Sequence, residues 1–135
     1  MTATQLAEIY VCITCARARG VEQKAQASEC AGAQLAAATA RAAAALPVIV
    51  RPVRCLANCS RGASAAIRCN GSWTYVFGEL DPECAPALVT GAQLLAGAAD
   101  GIMPWRDRPD VLKKGIIARI PPLGFSELEA LEDMQ

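Results

Sequence analysis

Two pairs of cysteines carry the chemistry open to this sequence. Cys12 and Cys15 lie in CITC near the start, and Cys55 and Cys59 lie in CLANC farther on. Thiolates are nucleophiles, redox couples and soft-metal ligands. A single pair allows a disulfide, a reactive centre, ordinary packing or half of a metal site. The chain has no histidine. That excludes Ser/His/Asp triads, Cys/His nucleophiles, HExxH zinc enzymes, two-His iron sites and Rieske centres. A soft-metal site here must be built from thiolates, with carboxylates as the only other help. The total of seven cysteines is odd and suits a framework of disulfides poorly. Cys30, Cys69 and Cys84 each stand alone and read as small buried apolar residues.

The elements that must position the two pairs follow from the pattern. AEIYVCIT is rich in β-branched and aromatic residues and reads as a strand ending at Cys12. From about Val21 to Ala45 the chain is dominated by helix formers, with a main helix expected from roughly Ala31 and Pro47 just beyond its end. PVIVRPV reads as a second strand, apolar on both faces and therefore expected inside a sheet. SAAIRC and SWTYVFG flank Asn70-Gly71, the signal of a hairpin with a type I′ turn. Asp81, Pro82 and Glu83 form a helix start: a cap, a proline at the first helical position and a carboxylate for the dipole. That helix is expected to run to about Ala99. PDVLKK offers one or two more helical turns. An extended segment, IIARIPP, precedes an acidic tail over about 122–135.

The expected order is β-α-β-β-β-α: a thioredoxin-like α/β layer with a central mixed sheet and two main helices. One domain spans 1–135, since no repeat or linker interrupts it. The first strand, helix and second strand should form a parallel crossover. Cys12 and Cys15 follow the C-terminal end of the first strand, and Cys55 and Cys59 follow that of the second. Neighbouring strands lie about 4.8 Å apart. Parallel strands would therefore bring both pairs to one edge, which is how short-spaced pairs assemble a four-thiolate site. A redox dithiol at Cys12 and Cys15 competes with this reading. It leaves the placement of Cys55 and Cys59 unexplained.

Zinc and a [2Fe–2S] cluster both accept four thiolates, each giving a site with a net charge of about −2. Arg17, Arg19, Arg54 and Arg61 flank the motifs, and read either as ordinary solvated surface or as a basic rim facing an acidic redox partner. Lys plus Arg and Asp plus Glu number 13 each. This balance provides no basic footprint for nucleic acid. The most apolar stretch, AAAALPVIV, is too short to span a bilayer, and MTATQLAEIY has no secretory pattern. A soluble, cytoplasmic protein is expected, in a compartment where structural disulfides are rare.

IYVCITC is followed by VRPVRCLANCSRG, a hairpin with NGSWTYVFGELDPE, and GIMPWRDRPDVLKKGIIARIPP. This series resembles a bacterial family of predicted metal-binding proteins grouped with thioredoxin-like [2Fe–2S] ferredoxins. The resemblance covers nearly the whole chain. It implies one [2Fe–2S] cluster held by two cysteines from each of two loops, electron transfer rather than enzymatic catalysis, and a homodimer. It makes Cys12 the first ligand and Cys55 and Cys59 the last two. Cys15 is taken as the second ligand, with Cys30 as the alternative. Ala63 stands where relatives often carry a further cysteine. Relatives are also associated with cobalamin synthesis and cobalt handling. The competing functions are a zinc- or cobalt-delivery protein using the same thiols and a thiol–disulfide oxidoreductase. GSWTYVFG offers an apolar surface for a two-fold contact, unless Trp105 or RIPP covers it.

Overall fold

A computed structural model describes residues 6–14 and 30–126. Five strands form one mixed sheet: β1 (Ala7–Cys12), β2 (Val48–Val53), β3 (Ala65–Arg68), β4 (Thr74–Phe77) and β5 (Ile116–Ile120). Their order across the sheet is β2-β1-β3-β4-β5. β1 and β2 are parallel, with Cys12 opposite Val53. The other neighbouring pairs are antiparallel. The expected layer and its parallel crossover are therefore present, with one strand more than the expected order contains. The segment IIARI is that strand. It pairs with β4 and so covers the hairpin edge left open in the sequence reading.

Helices α1 (Ala31–Ala42) and α2 (Ala85–Ala96) pack against each other and against one face of the sheet. α1 presents Ala31, Gly32, Leu35 and Thr39 to the core, and α2 presents Leu88, Val89, Ala92 and Leu95 among others. Small residues on α1 let its backbone approach β1 and β2 closely. Leu35 supplies the large side chain, and its full burial contributes about 1.5–3 kcal/mol. From the strands, Ala7, Ile9, Val11, Ile67, Tyr75 and Phe77 complete this core. The opposite sheet face carries Glu8, Tyr10, Ala66, Arg68, Thr74 and Val76, and borders a shallow groove. A short helix, α3 (Asp110–Lys114), leads into β5.

Three local expectations need correction. β2 is an edge strand, not an interior one. Its Pro52 has no N–H to donate to a second neighbour, which suits an edge. The hairpin turn is not type I′. Among the described residues only Ala57 and Glu79 are non-glycines with positive φ, so Asn70 lacks the left-handed backbone that turn requires. Gly71 alone supplies it at φ 77°, and Ser72 N–H donates to the Cys69 carbonyl at 3.0 Å. The second main helix begins with a tight turn, Pro82–Cys84, and ends at Ala96 rather than near Ala99. Asp81 is its cap as expected, accepting from Glu83 N–H at 2.9 Å. The chain before Ala31 in the long helical region lies outside the described residues from 15 to 29, and most of the acidic tail lies outside them from 127.

Candidate metal centre

The parallel pairing of β1 and β2 puts the cysteines where strands stop. β1 ends on Cys12, which is 1% exposed. Its N–H donates to the Ser64 carbonyl at 3.1 Å, and the next N–H, of Ile13, donates to the Val53 carbonyl at 2.8 Å. The Cys12 thiol points to the Arg54 carbonyl, with Sγ to O at 3.5 Å. Thr14 Oγ1 donates to the same carbonyl. The end of β1 is thus tied to the residue that opens the second cysteine loop.

In that loop Cys55 and Cys59 are exposed, and their sulfurs are 4.0 Å apart. Two sulfurs on one tetrahedral ion, each bonded at about 2.3 Å, would be about 3.8 Å apart. The pair is therefore already spaced to share a metal. Ala57 N–H donates to Cys55 Sγ at 3.1 Å. Ala57 turns its N–H that way in the left-handed region, at φ 60°, a conformation costly for a residue with a Cβ.

The thiol of Cys59 is held above its ordinary value of 9.0. The largest cause is its contact with Cys55, followed by the charge of Cys55 and then burial and the charge of Cys12. Cys12 thus belongs to the same electrostatic neighbourhood. A second ionised thiol is therefore unfavourable beside the first unless a cation offsets the charge. Among the described residues no three Cys, Asp or Glu side chains are gathered into a ready cage. Cys15 lies outside the described residues, as do Arg17 and Arg19. Cys30 is described. Its thiol donates to the Ile13 carbonyl at 2.9 Å and accepts from Ala33 N–H at 3.4 Å, capping α1. It therefore sits against the residue that follows Cys12.

The loop is held in place from outside. Asn58 Nδ2 donates to Ser64 Oγ at 2.9 Å, and Ser64 is fully buried. A tight turn, Cys59–Arg61, closes with Arg61 N–H on the Asn58 carbonyl at 3.0 Å. Gly78, at the end of β4, lies directly beneath. A Cβ there would be 2.7 Å from the Arg61 carbonyl oxygen and 2.8 Å from Asn58 Nδ2. Sequence reasoning passed over Asn58 and Gly78. The one available signal was a glycine directly after a strand-like run, since a bare backbone marks a close approach.

Of the expected basic rim, Arg61 is paired with Glu79 at 3.3 Å, and Arg54 is exposed beside Cys55. The solitary cysteines Cys69 and Cys84 are buried in the core, and burial raises both thiols. Cys84 also closes the helix cap, with Asp81 N–H directed at its sulfur at 3.5 Å. Cys30, Cys55, Cys59 and Cys84 are free thiols.

Residues 9–122 match the model of a family described as "Protein of unknown function (DUF1636)". The chain belongs to this family. Comparison with curated proteins returned no match. Among solved structures the chain is similar to a thioredoxin-like [2Fe–2S] ferredoxin from Aquifex aeolicus. Sequence identity is 16%, the TM-score is 0.56, and the match covers 90% of this chain and 99% of that one. A cysteine-to-serine variant of the thioredoxin-like [2Fe–2S] ferredoxin from the same organism matches at 14% identity and a TM-score of 0.54, over 83% of this chain and 98% of that one. These likenesses establish the thioredoxin-like fold expected for this DUF1636 chain. Among the described residues no helix is long and apolar enough to cross a membrane.

Proposed function

We propose that this chain is a cytoplasmic electron-transfer protein that holds a [2Fe–2S] cluster through Cys12, Cys15, Cys55 and Cys59. The observation that carries the reading is the 4.0 Å separation of the Cys55 and Cys59 sulfurs at the strand end shared with Cys12. The likeness to thioredoxin-like ferredoxins supports it. Cys15 is the proposed second ligand, and Cys30, held against Ile13, is the alternative. When bound, the cluster supplies one-electron chemistry, and the chain's task is ligation, burial and orientation. Ser64 and Ile13 fix the end of β1, Asn58 fixes the second loop, and Ala57 directs a backbone N–H at Cys55.

In this reading the protein is not an enzyme. It works as a homodimer and meets an acidic redox partner, with Arg54 the described cation free to face it. Nothing in the site or the comparisons favours the cobalamin link. A second reading rests on the same distance, because zinc also prefers sulfurs about 3.8 Å apart. Anaerobic purification with iron, sulfide and zinc analysis separates the two. Brown protein with about two irons and two sulfides per chain, bleached by dithionite, is the expected result. Colourless protein with one zinc per chain would replace the cluster by a metal-delivery role. Metal-free protein with an exchangeable Cys12–Cys15 disulfide would replace it by thiol–disulfide exchange.

A further inference from the structure

A second feature stands apart from the cysteines. After α2 the chain crosses toward β5, and this crossing opens a groove of about 780 Å³ with no cysteine among the described residues of its wall. That is the size of a small-molecule site, about 300–1,000 Å³. Tyr75, Met103, Trp105 and Ile116 line it, together with Arg108 and Arg119.

Arg108 is the anomaly. It is only 8% exposed, yet neither described ion pair includes it. Its Nη2 donates to the Met103 carbonyl at 2.5 Å, and its Nε has no acceptor. Its guanidinium lies over Tyr75 at 5.3 Å and Trp105 at 5.1 Å. Ring faces steady a cation from above and below. They leave the in-plane N–H edge without the anion that a buried charge normally requires. Two more cations stand close by, and neither is in an ion pair among the described residues: Lys113 over Trp105 at 5.0 Å, and Arg119 over Trp73 at 4.2 Å. Among the described residues of the wall the one acid is Asp100, which accepts from Ile102 N–H at 3.1 Å.

We propose that this groove binds a small organic monocarboxylate. The carboxylate meets the Arg108 fork, and an apolar body lies against Tyr75, Met103 and Ile116. A planar guanidinium matches a carboxylate with two parallel hydrogen bonds. The apolar wall selects a ligand with a hydrophobic body over a bare inorganic anion. Trp105 is the cover. It is 60% exposed, and its described ring contacts are those with Arg108 and Lys113. Swinging away, it gives up only ring–cation contacts and widens the ligand's approach to the guanidinium.

Trp105 also provides the test. The chain has two tryptophans, so full-length Trp73→Phe protein reports Trp105 fluorescence alone. Titration with benzoate and with hexanoate should give a saturable change. Arg108→Lys, which keeps the charge but loses the fork, should weaken binding at least about tenfold. Arg108→Met should abolish it. Benzoate should also raise the melting temperature of the unsubstituted protein, a readout that survives if Arg108→Met or Trp73→Phe folds poorly.

Absence of saturation by roughly 10 mM, well past a millimolar Kd, would overturn the proposal. So would an undiminished response in Arg108→Lys, tighter binding of inorganic phosphate, or binding of a glutamate-rich peptide without binding of either small acid. Iron or zinc content at the cysteines does not enter these readouts, so the groove stands or falls separately from the proposed function.

Discussion

Replacing Gly78 by alanine should disturb the cysteine loop from beneath, without touching a cysteine. The new Cβ would lie 2.7 Å from the Arg61 carbonyl oxygen, 2.8 Å from Asn58 Nδ2 and 3.1 Å from Ile117 Cδ1. Ordinary contact begins near 3.4 Å, so the Cys59–Arg61 turn must retreat by about 0.7 Å. The Ile117 methyl can rotate away, but the Arg61 carbonyl is backbone and also accepts from Glu79 N–H at 2.5 Å. Overpacking of this kind costs about 1–3 kcal/mol, and weakening that hydrogen bond adds about 0.5–1 kcal/mol. The expected loss is about 1.5–4 kcal/mol, which for a chain of this size lowers the melting temperature by roughly 5–15 °C.

Urea unfolding of reduced, metal-free protein measures the loss, and metal analysis of protein purified under matched conditions measures the effect on the site. Gly97→Ala is the control. Its Cβ would meet nothing nearer than the Gln93 carbonyl at 3.5 Å, and stability should stay within about 0.5 kcal/mol. If Gly78→Ala unfolds like the unsubstituted protein and retains its metal, the loop does not rest on β4 as described.

Cys55→Ser or Cys59→Ser should remove most of the bound metal and any visible colour, whereas Cys84→Ser and Cys69→Ser should leave both. Parallel serine variants of Cys15 and Cys30 identify the second ligand by which one changes the spectrum. Cys59, Cys69 and Cys84 all have thiols raised above their ordinary value of 9.0. The folded metal-free chain therefore holds protons to higher pH than the unfolded chain. Their contribution to stability is complete below pH 9 and should be lost as pH climbs through the raised values, which alkaline melting curves will show. Metal binding at the proposed ligands must displace their protons, that of Cys59 among them, so apparent zinc affinity should rise with pH, with proton release measurable by calorimetry in buffers of different ionisation enthalpy. Asp81→Ala removes the acceptor for Glu83 N–H and should cost about 1 kcal/mol by urea unfolding. Ala57→Gly relieves a left-handed backbone and should stabilise by about 0.5–1 kcal/mol with metal content unchanged.

The residue types alone carried the chemical inventory of this protein. Four paired thiols and no histidine narrow any soft-metal site to thiolate ligation before any folding is considered. Local patterns also located most elements, because helix caps, β-rich runs and turn glycines act over a few neighbouring residues. Asp81 and Gly71 sit where those patterns placed them, and α1 starts at Ala31. The side-by-side ends of β1 and β2 were legible too, since a strand–helix–strand unit has few topologies open to it.

What the sequence could not carry depended on partners distant along the chain. An apolar run does not reveal whether a second strand will flank it, so β2 read as interior and β5 was not counted as a strand. The turn at Asn70 depended on how β3 and β4 pair, not on its dipeptide. Arg61 read as a rim cation until the fold placed Glu79 within 3.3 Å, and Cys30, read as packing or as the alternative ligand, became the cap of α1 held against Ile13. Gly78 and Arg108 gained their meaning only when the Asn58 loop, Tyr75 and Trp105 closed around them. Steric exclusion and the burial of charge are properties of assembled neighbours, and no single stretch of sequence contains them.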